Sequence, residues 1–193
     1  HKAFDEATAV LAGDALQALA FEVLADEATH EDPYVRAELV LELARASGPT
    51  GMAGGQMMDL VAEAETFDLP TTTRLQQLKT GALIGFSVEA GAIMGKASAD
   101  NRVKLRGYAR DLGLAFQIAD DLLDVEGDSG RTGKAVRKDE GAGKATFVSL
   151  LGIERARKQA EMLIDQAIGH LHGFGQSADL LRAIARFAIE RDR

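Results

Sequence analysis

Phe116-Gln-Ile-Ala-Asp-Asp-Leu-Leu-Asp124 is the stretch of this 193-residue chain on which the fold assignment turns. Leu112, Leu114, Phe116, Ile118, Leu122, Leu123 and Val125 surround its charges at helical spacing, so the segment reads as a helix and not as a plain solvated face. On that helix Asp120 and Asp124 are one turn apart and face the same way. Asp121 lies about 100° round, and Gln117 is one turn earlier on the same side. Three carboxylates in one turn repel, by a few tenths of a kcal/mol for each exposed pair. They also sit near a helix C-terminus, where negative charge is disfavoured by about 0.3–1 kcal/mol. A sequence that breaks several local rules at one place does so at a site.

The helical pattern extends outward in both directions. Apolar residues recur at three and four, as in Leu11, Ala15, Leu19 and Val23, and again in Leu39, Leu43 and Ala46. Strict alternation is absent, and Ala, Leu, Glu, Lys, Arg and Gln dominate, all good helix formers. The three prolines, Pro33, Pro49 and Pro70, fall at breaks between periodic segments. The spacing predicts helices over 3–25, 33–47, 50–65, 72–95, 100–126, 144–172 and 176–191. Asp32-Pro33 supplies a cap followed by proline at the first helical position, and Thr71 or Thr72 is expected to cap the helix after Pro70. The fold class is all-α, with antiparallel helices around one core.

Composition removes whole classes of function. With 22 basic and 30 acidic residues the net charge is −8, which disfavours nucleic acid and anionic membrane surfaces. The absence of cysteine excludes disulfides and thiolate metal sites. The uncharged run Ala46–Met58 holds four glycines and a proline, so it makes no membrane span. Nothing at the start reads as a signal peptide, and a soluble, cytoplasmic protein is expected. The chain opens on His1-Lys2 without Met, which suggests a fragment or a processed product.

Just past the acidic turn, Gly127–Gly143 carries five glycines with Arg131, Lys134, Arg137 and Lys138, and Lys144 follows at once. Carboxylates at one-turn spacing suit Mg²⁺, which takes its remaining ligands from water and substrate phosphates. Without cysteine or a nearby histidine, zinc fits poorly. Lys134 and Lys144 would reach the same phosphates, and glycines would let the backbone approach. Spacing alone fits two arrangements equally, a diphosphate site or a solvated acidic helix end beside a surface loop. Two further places stand out, Gly54-Gly55-Gln56-Met57-Met58-Asp59 and Lys79-Thr80-Gly81-Ala82; each on its own reads more simply as packing. A nucleotide P-loop is excluded. The glycine it needs is replaced by Lys138 or Asp128, and Ala145 and Ala135 stand where Ser or Thr is required.

Taken together these residues resemble the trans-isoprenyl diphosphate synthases, the polyprenyl synthetase family, in its bacterial farnesyl-synthesising branch. The resemblance runs through Ala9-Val-Leu-Ala-Gly-Asp-Ala-Leu16, Gly54-Gly-Gln-Met-Met-Asp59, Lys79-Thr-Gly-Ala-Leu83 and Gly113 to Asp124. It continues through Gly127-Asp128, Gly133-Lys134 and Gly143-Lys144-Ala-Thr146. It implies an isoprenoid synthase helical bundle and a homodimer. It further implies a reaction in which an allylic diphosphate ionises and its carbocation alkylates isopentenyl diphosphate. Asp120, Asp121 and Asp124 would match the second aspartate-rich motif that holds Mg²⁺. Lys79, Lys134 and Lys144 would bind the diphosphate, while Thr80, Gln117 and the Lys79 carbonyl would stabilise the cation.

The only Asp-Asp pair is 120–121 and no Arg-Arg pair occurs, so the family's first aspartate-rich motif and its arginines have no counterpart here. Residues 1–193 therefore resemble the C-terminal two-thirds of such an enzyme, as a single domain truncated at its N-terminus and expected to turn over little alone. The competing readings are a noncatalytic subunit paired with a full-length partner and, less favoured, a terpene cyclase. His30, His170 and His172 are expected at the surface, and Asp14 and Asp59 in the helical core.

Overall fold

The computed structural model describes residues 1–126 and 145–191, and every regular element among them is helical. In chain order these are α1 (Glu6–Ala25), α2 (Pro33–Ser47), α3 (Met52–Val61), α4 (Leu69–Gln76), a π-turn (Gln77–Gly81) and α5 (Ala82–Met94). The 28-residue α6 (Ala99–Glu126), α7 (Phe147–Leu151), α8 (Ile153–His170), a 3-10 stretch (His172–Ala178) and α9 (Asp179–Glu190) follow.

Helix α6 is the axis of the fold, with α5, α8 and α9 packed on it. It contributes Tyr108, Leu112, Ala115, Ile118 and Leu122 to the core, and α8 contributes Ala156, Ala160, Leu163, Ile164 and Ala167. Alanine at so many contact positions lets the two helices approach closely along their length. Where they meet, buried Asp111 accepts from His170 Nε2 at 3.0 Å and from Arg110 Nε at 3.0 Å. A Cβ at Gly107 would lie 2.7 Å from the His170 ring, so this glycine makes room for the imidazole. His170 is thus a packing residue and not the surface residue its sequence context suggests. His172 is exposed as expected, and half-buried His30 accepts the Asp32 N–H at 2.9 Å on Nδ1.

The helix ends follow the chemistry of their caps. Asp32 caps α2 by accepting from Tyr34 N, and Pro33 is the first helical residue, as expected. For α4 the cap is Asp68, which accepts from Thr71 N at 2.9 Å; the expected Thr71 or Thr72 is already inside the helix, and Thr72 is buried. The single helix expected over 72–95 is two helices joined by the π-turn. The one expected over 144–172 begins at Phe147 under a Thr146–Ser149 capping box and breaks at Gly152, whose φ of 80° only glycine takes easily. Helix α3 stops at Val61, short of the expected 65.

Helix α1 departs furthest from expectation. It rests on α2, yet none of its residues is buried, and Leu11, Leu19 and Val23 of the predicted core stripe are 66%, 49% and 52% exposed. Asp14 is exposed as well, against the expectation of a core position. By length and composition alone α1 is apolar enough to cross a membrane, although Glu6, Asp14 and Glu22 are spaced along it.

Candidate functional site

Three segments far apart in sequence meet around the C-terminal half of α6. Glycines make the first junction. A Cβ at Gly55 of α3 would lie 2.2 Å from Lys79 N, so α3 packs backbone to backbone on the π-turn. The same turn touches α6 at Gly113, where a Cβ would be 3.3 Å from the Gly81 Cα. An extra residue in a helical turn re-aims the side chains it carries, and π-turns gather at functional sites for that reason. Here the re-aimed residues are Lys79 and Thr80.

Lys79 Nζ lies 3.0 Å from Asp59 of α3, and the aspartate is 14% exposed. Asp59 therefore occupies the interior position expected of it, with a lysine as partner. Thr80 reaches the other way, and its Oγ1 donates to Gln117 Oε1 at 3.2 Å. Gln117 Nε2 donates in turn to Asp121 Oδ1 at 3.2 Å, and Asp121 Oδ2 accepts the Phe147 N–H at 2.8 Å. The candidate residues Thr80, Gln117 and Asp121 are thereby joined in one hydrogen-bond chain, while Lys79, next to Thr80 in the π-turn, is paired with Asp59.

The three carboxylates of the acidic turn have different surroundings. Asp121 is buried and held by protein N–H groups. Asp120 is 42% exposed and pairs with Arg191 Nη2 at 3.1 Å. Asp124 is half-buried and makes no hydrogen bond or ion pair among the described residues. No group of three acidic or histidine side chains among the described residues converges as a ready-made metal cage. Two hard oxygen donors one turn apart nonetheless fit Mg²⁺, which keeps several waters and is bound by one or two carboxylates plus phosphate. Lys134 and Lys144, the other candidate diphosphate ligands, lie outside the described residues.

An apolar cavity of about 630 Å³ opens between α5, α6 and α9, lined by Ile84, Val88, Leu112, Phe116 and Phe187. Its polar rim is Arg191, whose guanidinium lies 3.9 Å from the centre of the Phe116 ring. Tyr108 also lines it; burial pushes that phenol up to about 12, and its O–H donates to Leu181 O at 2.8 Å. Sequence reasoning had missed Arg191 as a partner of the acidic turn, because 71 residues separate it from Asp120 and no motif marks it.

A polyprenyl synthetase family model matches residues 1–186. Farnesyl diphosphate synthase of Escherichia coli is 44% identical over 201 aligned positions, covering 100% of this chain and 66% of that protein. The crystal structure of an FPP/GFPP synthase from Zymomonas mobilis superimposes with a TM-score of 0.88 at 62% identity, covering 97% of this chain and 63% of that one. A geranyltransferase from Helicobacter pylori, solved in complex with magnesium and isoprenyl diphosphate, gives a TM-score of 0.83 at 31% identity, over 98% and 62% of the two chains. The chain spans about two thirds of the length of these proteins. Their shared helical architecture and the match across almost the whole sequence place the chain in the polyprenyl synthetase family.

Proposed function

We propose that this chain is the C-terminal two-thirds of a prenyltransferase that condenses an allylic diphosphate with isopentenyl diphosphate, with farnesyl diphosphate as product. The single observation that carries the reading is the Thr80–Gln117–Asp121 hydrogen-bond chain, which ties the π-turn bearing Lys79 to the acidic turn. Two of the similar proteins are named as farnesyl-producing synthases, and the H. pylori relative is described with magnesium and isoprenyl diphosphate, which supports the substrate class. Residues 1–193 act as one domain on this reading, in the cytoplasm.

Asp120 and Asp124 form the carboxylate face toward Mg²⁺, and Asp121, the third aspartate of the motif, is engaged by Gln117 and Phe147 instead. When bound, the metal neutralises the charge that develops on the departing diphosphate. Lys79, Lys134 and Lys144 supply fixed positive charge to the same group, and such preorganised charge is worth most in a site that excludes water. The side chains of Phe116 and Leu112 are apolar and carry no lone pair that could capture a carbocation. The oxygens of Thr80 and Gln117, with the Lys79 carbonyl, face it with lone pairs.

The uncovered apolar surface of α1 supports a homodimer. Val10, Leu11, Leu16, Leu19 and Val23 are distributed around the whole helix, a pattern that belongs to a helix enclosed by neighbours. A noncatalytic subunit would need less of this chemistry, and the retention of Gln117, Asp120, Asp124 and the Lys79–Asp59 pair favours a catalytic chain.

The test is calorimetry of the chain with a non-ionising allylic diphosphate analogue, with and without Mg²⁺. Binding that requires the metal and disappears in Asp120→Ala/Asp124→Ala is expected. Metal-independent binding, or binding unchanged in the double variant, would rule the reading out.

A further inference from the structure

Asp121 differs from its two neighbours in the acidic turn, and the difference has chemical consequences. It is 4% exposed, and both of its oxygens accept from protein N–H groups, Oδ1 from Gln117 Nε2 and Oδ2 from Phe147 N. Asp120, by contrast, is 42% exposed. The Phe147 N–H belongs to the first turn of α7, where helix geometry leaves donors without a partner, so the carboxylate also anchors the start of that helix.

An ionised carboxylate can only accept hydrogen bonds, so the Gln117 amide must turn its nitrogen toward Asp121 and its oxygen toward Thr80. An amide oxygen has no proton to give, so the Thr80 hydroxyl must donate to it, as its 3.2 Å contact allows. Once that proton is committed to Gln117, Thr80 Oγ1 presents only lone pairs elsewhere. One buried negative charge thus fixes the direction of every donor in the sequence Thr80, Gln117, Asp121.

We infer that Asp121 is a positioning residue that fixes the polarity of the Thr80–Gln117–Asp121 hydrogen-bond chain, so that oxygen lone pairs and not N–H or O–H groups face an electron-deficient carbon. The inference rests on the synthase reading for the identity of that carbon. With the polarity reversed, Gln117 would donate to Thr80, and the Thr80 O–H would point its positive end at a developing cation.

The decisive test needs no substrate. In ¹⁵N-labelled protein the Gln117 side-chain amide resonances are identified by their loss in Gln117→Glu. They are expected to lie apart from those of exposed glutamines and to shift in Asp121→Asn. Thr80→Val, at the half-buried end of the chain, is expected to shift them too, and it serves if Asp121→Asn fails to fold. Gln117→Glu/Asp121→Asn exchanges acceptor and donor, so it is expected to regain most of the melting temperature that either single variant loses. Amide resonances unmoved by either substitution, or single-variant losses that simply add, would overturn the inference.

A Mg²⁺ titration with inorganic diphosphate adds a readout that separates positioning from ligation. The half-saturating Mg²⁺ concentration is expected to rise about tenfold or more in Asp120→Asn and to stay at the wild-type value in Asp121→Asn. An equal rise in both variants would make Asp121 a ligand and end the positioning role. If the wild-type chain bound no diphosphate, the synthase reading would fail while the amide and melting results still decided the polarity of the chain.

Discussion

Lys79 and Asp59 meet at 3.0 Å, joining two motifs that each read as ordinary packing in the sequence. The pair fixes the lysine at the π-turn, with its charge facing α3 and the adjacent Thr80 facing α6. Asp59 is the more enclosed partner, so removing the lysine costs more than the exposure of the lysine suggests. Lys79→Met is expected to destabilise the protein by about 1–3 kcal/mol, because it takes a cation at 3.0 Å away from a carboxylate that is only 14% exposed. Thermal unfolding measures this, and Lys79→Met/Asp59→Leu should recover part of the loss, since both charges are then absent.

Gly55 makes a close backbone contact in the same region. Its missing side chain leaves room for the backbone of Lys79, which cannot move aside as a flexible side chain could. Gly55→Ala is expected to cost about 2–3 kcal/mol or more, through overpacking that also displaces Lys79 and Thr80. Gly85→Ala, near the start of α5 with open space at its Cβ, is the matched control and should be neutral or slightly stabilising. Equal losses in the two variants, read by denaturant unfolding, would show that the close approach has no energetic weight.

The bundle was legible because periodicity and caps are local signals. Asp32-Pro33 marks the start of α2, and the proline-free stretch after Thr71 announces the long helices. What failed was local in form but decided elsewhere. The stripe Leu11, Ala15, Leu19, Val23 promised burial, yet periodicity says only that a face is apolar and not what covers it. Asp68 outcompeted Thr71 and Thr72 as a cap because Pro70 is accommodated within the first helical turn, which moves the start of the helix upstream. Within the site, one-turn spacing puts Gln117, Asp120 and Asp124 on one side of a helix, whereas Lys79 and Thr80 read as packing alone and take a role only from the family resemblance. Arg191 and the His170–Asp111 pair follow only from tertiary packing, since their partners lie 71 and 59 residues away.

Burial of Tyr108 gives the fold a defined alkaline limit. The phenol is pushed from 10.0 up to about 12, so folding favours its neutral form. Below pH 10 the contribution of Tyr108 is fully present, and it is lost as pH rises through the window from 10 to 12, where the unfolded chain ionises first. The loss is on the order of 2 kcal/mol. Urea unfolding of wild type and Tyr108→Phe at pH 8 and pH 11 measures it. The gap between the two proteins should shift in favour of the variant at the higher pH, since phenylalanine has no proton to lose.

Arg191 stands on the carboxylate that the synthase reading assigns to Mg²⁺. Its guanidinium bonds Asp120 at 3.1 Å and stacks on Phe116, so the cation has a second resting contact when the carboxylate is engaged elsewhere. A metal ion binding at Asp120 has to compete with a charge already in place. Asp120 is substantially exposed, so solvent screens the pair and its worth is about 1 kcal/mol, not the several kcal/mol of a buried bridge. Arg191→Gln is therefore expected to tighten Mg²⁺ binding by about fivefold in the presence of inorganic diphosphate. The gain should shrink as salt is raised, because the interaction removed is electrostatic and partly exposed. Calorimetry at low and high salt separates this from the opposite result, a weaker affinity in Arg191→Gln. That result would mean that the guanidinium holds the anion and not the empty carboxylate.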